Sequence, residues 1–130
     1  MKGVADGLRT LLPKCDVVVT SPYTRAVQTA EFLRDAYERQ LVETKTLEPE
    51  AAPSAFEAWL RNHFEEDVVV VVGHEPHLGI LTTWLMTGAT DSHVEFKKGG
   101  ACLLEFGGAV KKGAGVLRWL VGSKELAALK

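Results

Sequence analysis

Five consecutive valines, Val68 to Val72, constrain this chain more than any other feature. β-Branched side chains favour strands, and an unbroken apolar run leaves neither face of the strand polar. The run therefore reads as a strand buried on both faces, the kind found inside parallel sheets. Gly73-His74-Glu75-Pro76-His77-Leu78-Gly79 follows at once. That is a tight turn and then a helix begun by proline, whose missing N–H costs nothing in a first turn.

The same pattern occurs earlier. Val17 to Val19 is a short apolar run, followed by Ser21-Pro22-Tyr23-Thr24-Arg25-Ala26-Val27-Gln28-Thr29-Ala30. Ser21 is the expected N-cap and Pro22 the expected first helical residue. The free N–H groups of that first turn and the helix dipole attract an anion. Arg25 sits one turn in, where its fork of donors can grip the same anion in two places. In an open parallel sheet, chemistry gathers beyond the carboxyl ends of the strands, so both turns belong at one edge.

Ser21-Pro22 with Arg25-Ala26 and Gln28-Thr29-Ala30, then Gly73-His74 with Pro76, resembles the histidine phosphatase superfamily in order and spacing. The likeness is greatest to its small SixA-type phosphohistidine phosphatases and covers essentially the whole chain. It implies a phosphoglycerate mutase-like α/β fold: three layers, with helices flanking a mostly parallel sheet. It also implies two-step phosphoryl transfer through a phosphohistidine on the enzyme, without metal or other cofactor. Arg25 and His74 take the catalytic role of stabilising phosphoryl charge, and Ser21 and Thr24 join them in holding the phosphate. A phosphohistidine-bearing protein is the implied partner. The family's opening strand ends in Arg-His-Gly, whose histidine is the nucleophile; that tripeptide does not occur here. The expectation is a single domain over residues 1–130 whose first strand is missing. Alone, it should be inactive and either poorly soluble or loosely packed.

The rest of the chain fits an α/β domain. Val4, Leu8, Leu11 and Leu12 recur at helical spacing before Pro13. A long helix is expected from Pro22 to about Gln40, with Ala26, Ala30, Leu33 and Tyr37 on its core face. A connection over 44–53 precedes a helix capped near Ser54 that buries Phe56, Trp59, Leu60 and Phe64. The helix from Pro76 carries Leu78, Leu81, Trp84 and Leu85 and closes at Gly88. In the last third, Val94–Lys97, Ala101–Phe106 and Val116–Val121 read as strands joined by glycine-rich turns, hence antiparallel. Ser123 is expected to cap a short final helix.

Composition narrows the setting. The chain is 46% apolar and 25% charged with formal charge -2, which gives no reason to expect nucleic acid or anionic membrane as a partner. No apolar run approaches the ~20 residues of a membrane helix, and the start lacks a stretch of signal-peptide length. Cys15 and Cys102 have no metal or redox spacing, so reduced thiols and a cytoplasmic setting are expected.

The remaining chemical candidates are weaker. His74, Glu75 and His77 suggest a metal site, but the histidines are three apart with a proline between, unlike the helical zinc pattern. No metal is expected. Gly108 to Gly113 has the spacing of a phosphate loop without its lysine and hydroxyl residue, and reads as a hairpin connection. Glu48 and Glu50 are candidates for a general acid, although solvated loop charges explain them as well. The short middle region implies an open site able to admit a phosphate carried on another protein. An imidazole leaving group, with a pKa near ~6.5, also needs less help from an acid than an alkoxide does. Three other readings stay open: a phosphate- or phosphoprotein-binding module without turnover, a small-molecule phosphomonoesterase of the same superfamily, and a structural domain or decaying fragment without chemistry.

Overall fold

The computed structural model describes residues 1–64 and 68–129. Its elements run α1 (Lys2–Leu11), β1 (Val17–Thr20), α2 (Thr24–Tyr37), β2 (Leu41–Glu43), α3 (Pro53–His63), β3 (Val69–Val72), α4 (His77–Thr87), β4 (Ala101–Glu105), β5 (Val116–Val121) and α5 (Ser123–Ala128), with a 3₁₀ turn at Lys45–Leu47. The mixed α/β class and the antiparallel ending agree with the sequence reading.

β1 is the axis of the fold. It pairs in parallel with β2 on one side and β3 on the other, giving the order β2-β1-β3. All four of its residues are buried, because helices cover both faces. On one face Val18, Val70 and Val72 pack with Ala5 and Leu8 of α1, Ala26, Ala30, Leu33 and Tyr37 of α2, and Leu126 of α5. On the other, Val17 and Val19 pack with Leu47, with Phe56 and Leu60 of α3, and with Leu81, Trp84 and Leu85 of α4. The opening helix thus finds its partners in α2 and α5. Gly7 is the contact point: an added Cβ would lie 1.6 Å from the Leu126 carbonyl oxygen, so only glycine permits this approach of α1 to α5.

The valine run behaves differently from expectation. Val70 and Val72 are buried, but Val69 and Val71 are only half-buried. Among the described residues β3 pairs through β1 alone. β4 and β5 form a separate antiparallel pair. Yet Ala101, Trp119 and Val121 join the apolar cluster of Val70 and Val72, while Leu104 and Phe106 join that of Val69 and Val71. The two layers of core therefore run on from β3 to β4 with no ladder between them.

Four expectations need correction. Helix α2 begins at Thr24, because Tyr23 is extended (φ -66°, ψ 140°) and Ser21 lies outside the helix. Its other end comes at Tyr37, where Glu38 turns left-handed (φ 53°). Residues Val94–Lys97 form no strand, since the Phe96 amide donates to the Glu75 carboxylate and the Val94 carbonyl accepts from the Ser92 hydroxyl. Neither Ser54 nor Ser123 caps its helix: Ala52 and Gly122 hold those positions without a side-chain bond. The short strand β2 is an addition to the sequence reading.

Candidate active site

β1 and β3 are parallel neighbours with Thr20 opposite Val72, so the turns that follow them emerge side by side. One turn delivers Pro22, Tyr23, Thr24 and Arg25, the other His74, and these five residues line one open pocket of about 460 Å³. Helix α2 starts at its wall. The first internal bond of the helix runs from the Val27 amide to the Tyr23 carbonyl at 3.0 Å, which leaves the amides of Thr24, Arg25 and Ala26 facing outward. Arg25 and Thr24 are exposed, and neither side chain makes a hydrogen bond among the described residues. A guanidinium, an imidazole, a hydroxyl and free helix amides thus meet in one concavity. That set is suited to a tetrahedral anion.

Ser21 stands elsewhere. It is fully buried behind the imidazole and off the pocket wall, with its Oγ 2.8 Å from His74 Nε2. The same oxygen accepts the Tyr23 amide at 3.2 Å. The Tyr23 ring stands 5.1 Å from the His74 ring at 56°, packing against it. His74 is therefore held from two directions.

Glu75 and His77, the residues next to it, turn away from the pocket. Glu75 accepts the Gly79 amide at 2.6 Å and the Phe96 amide at 3.3 Å. His77 is 2% exposed, and among the described residues neither ring nitrogen has a partner at full hydrogen-bond geometry, the Ala51 backbone being the polar group that acts on it. Burial pushes its pKa below the ordinary 6.5; the Ala51 backbone partly offsets this, and His74 adds to it. His63 and His93 are exposed, with His63 stacked on Trp59 and His93 paired with Asp91.

Glu48 and Glu50 come nearer than their sequence position suggests. The Tyr23 hydroxyl has its pKa raised chiefly by Glu50, with partial burial and Glu48 contributing. Both carboxylates are thus within electrostatic range of the Tyr23 hydroxyl. No local pattern in residues 44–53 signals this, because the 3₁₀ turn and the Thr44 side chain's bond to the Thr46 amide set the path of the loop. Both cysteines are free, and burial raises their pKa values, that of Cys102 to about 11.

Comparison with known structures now fixes the fold. The chain superposes with a TM-score of 0.78 on the protein histidine phosphatase SixA complexed with tungstate, at 22% identity over 96% of this chain and 80% of that one. A second likeness, to YhfR of Bacillus stearothermophilus, has a TM-score of 0.63 at 16% identity, covering 90% of this chain and 79% of that one. The chain has the fold of the histidine phosphatase superfamily.

A relative is also found in sequence. An uncharacterised protein of Picosynechococcus sp. is 35% identical over 111 residues, 83% of this chain and 67% of that protein, and the chain belongs to one family with it. No family model matches the sequence.

Proposed function

We propose that this chain carries the phosphate-holding half of a SixA-type phosphohistidine phosphatase site. One observation carries the reading: Arg25, from the end of β1, and His74, from the end of β3, line the same pocket at the start of α2. Two cationic or donating side chains and a helix N-terminus hold a phosphoryl group and favour the charge that grows on it during transfer. The structural neighbour that binds tungstate supports this, since tungstate is a tetrahedral oxyanion like phosphate. An open pocket admits a phosphate borne on a protein surface better than a closed one. The substrate is accordingly a phosphohistidine on a partner protein, and the reaction passes through a phosphoenzyme.

One observation favours a second reading. Glu50 and Glu48, whose charges act on the Tyr23 hydroxyl, are the carboxyl groups available to protonate an alkoxide, the leaving group of a small-molecule phosphomonoester.

Inorganic phosphate titrated into labelled protein tests the site. Perturbation of His74 and of the Thr24 and Arg25 amides is the expected result, and an unperturbed pocket at saturating phosphate overturns the reading. Comparing release from a phosphohistidine protein with release from small phosphomonoesters then separates the two substrates. That comparison uses a form carrying an Arg-His-Gly strand, in wild-type and Glu50→Gln versions. A Glu50→Gln loss confined to the monoester supports the second reading.

A further inference from the structure

We infer that Ser21 is a positioning residue that keeps an N–H of His74 turned to the pocket in both protonation states of the imidazole. The inference rests on the phosphoryl-site reading and names the residue through which that site holds its donor.

A serine hydroxyl offers one proton and two lone pairs. The Tyr23 amide occupies one lone pair of Ser21, and the other lone pair and the proton remain for His74 Nε2 at 2.8 Å. In the imidazolium, Nε2–H donates to that lone pair, and Nδ1 carries the second proton. In the neutral ring two tautomers compete. If Nε2 kept the proton, the Ser21 hydroxyl hydrogen would have no acceptor among the described residues, at 0% exposure. A buried donor left in that state bears its full desolvation cost. The favoured neutral form therefore has Ser21 donating to Nε2 and the ring proton on Nδ1. Nδ1 itself has no protein partner among the described residues. It is also not among the sealed polar atoms that lack one, so it opens to solvent.

The titratable groups around the ring do not change this assignment. The Tyr23 ring stands against it, Arg25 lines the same pocket, and the charge of His77 acts on it from α4. The Glu75 carboxylate is committed to the Gly79 and Phe96 amides, and the Glu48 and Glu50 charges act on the Tyr23 hydroxyl. None of them reaches the Ser21 proton. The site thus keeps its imidazole donor whether or not His74 is charged. Without Ser21, the neutral ring is free to present a bare nitrogen lone pair to the anion.

Long-range ¹H–¹⁵N spectra of the histidine-labelled full chain, from about pH 5 to 9, read the tautomer directly. The expected neutral His74 has a protonated Nδ1 and a bare Nε2. Ser21→Ala should shift it toward Nε2–H, and Ser21→Thr should restore the first form. A neutral wild-type ring protonated on Nε2 overturns the proposal, and that measurement stands even if Ser21→Ala fails to fold. Inorganic phosphate titrations give a second readout. With the ring neutral, Ser21→Ala should bind about tenfold more weakly than wild type, the scale of one lost hydrogen bond. With it charged the two should agree, and an equal difference in both forms would overturn the proposal. If no variant binds phosphate, the phosphoryl-site reading falls, while the tautomer still decides the role of Ser21.

Discussion

The Glu75 carboxylate accepts the Gly79 amide at 2.6 Å, closing the first turn of α4 onto the residue that follows His74. Its second oxygen takes the Phe96 amide, so one side chain fixes both the turn and the loop that crosses it. The crossing is tight: a Cβ on Gly79 would lie 2.2 Å from the Val94 carbonyl oxygen. Glu75→Ala should lower stability by roughly 1–2 kcal/mol, at the modest end for charged hydrogen bonds because Glu75 is exposed. Chemical denaturation measures this. A variant as stable as wild type would show that Glu75 does not hold the turn.

Arg25→Lys separates charge from geometry. The guanidinium makes no hydrogen bond within the protein among the described residues and is exposed, so folding should be unchanged within about 0.5 kcal/mol. A point charge cannot reproduce a bidentate grip, and phosphate affinity should drop by roughly tenfold or more. In a form competent for turnover the loss should be on the order of 10²-fold, as for one preorganised transition-state donor. Near-normal binding by the lysine variant would take the role away from Arg25.

His77 gives the fold an acid limit. Its folded-state pKa is depressed below 6.5 by burial, whereas in the unfolded chain it titrates near that value. Between the two values the unfolded state binds the extra proton. The His77 contribution is therefore fully present above about pH 6.5 and lost as pH falls through the folded value. His77→Leu removes two buried nitrogens that have no hydrogen-bond partner among the described residues. It should flatten the stability profile on the acid side and leave stability at pH 7 equal or higher by up to ~1–2 kcal/mol. Equal acid slopes in the two proteins would mean another group sets the limit.

How much of this was legible follows from the range of each signal. The α2 stripe of Ala26, Ala30, Leu33 and Tyr37 is periodic, so the sequence shows which face is buried, and it is buried. The two valine runs are continuous and flag β1 and β3. β2 has three residues and no period, so nothing local marks it. Val94–Lys97 has strand composition, but side chains capture its backbone groups, one of them from Glu75 across 21 residues. The start of α2 falls later than Ser21 suggests, because its hydroxyl takes the amide of Tyr23, which is still extended, and meets His74 across 53 residues. Arg25 and His74 were readable because each ends a strand motif. The bond that orients His74 was not, because pairing of β1 with β3 creates it.

The close contact at Gly7 makes a stability prediction independent of the site. An alanine Cβ there would overlap the Leu126 backbone, which cannot yield as a side chain could. Gly7→Ala improves helix propensity by about 1 kcal/mol, yet it must separate α1 from α5, with Leu126 fully buried between them. Overpacking should win, for a net loss of about 1–3 kcal/mol. A thermal midpoint raised by the substitution would mean that the α1–α5 contact is looser than described.

The last prediction concerns which histidine could carry the phosphoryl group, and the geometry leaves none in residues 1–130. His74 Nε2 is bound to Ser21, and its Nδ1 carries the proton in the tautomer proposed above. His77 is sealed from solvent, so no phosphate can reach either nitrogen. His63 bonds the Trp59 carbonyl through Nδ1, and His93 pairs with Asp91, both away from the pocket. The cysteine thiols are held protonated by burial. Residues 1–130 should therefore bind phosphate yet release none from a phosphohistidine protein above the spontaneous rate, and no acid-labile phosphate should build up on the chain. The half-buried edge of β3 leads to the His74 turn. A parallel strand placed along that edge and ending in Arg-His-Gly would bring a free imidazole to the same rim as Arg25. Fusing such a strand should produce both turnover and a labile phosphoenzyme, and replacing its histidine by glutamine should remove both. Steady turnover by residues 1–130 alone, lost in His74→Gln, would show instead that Nδ1 of His74 attacks phosphorus.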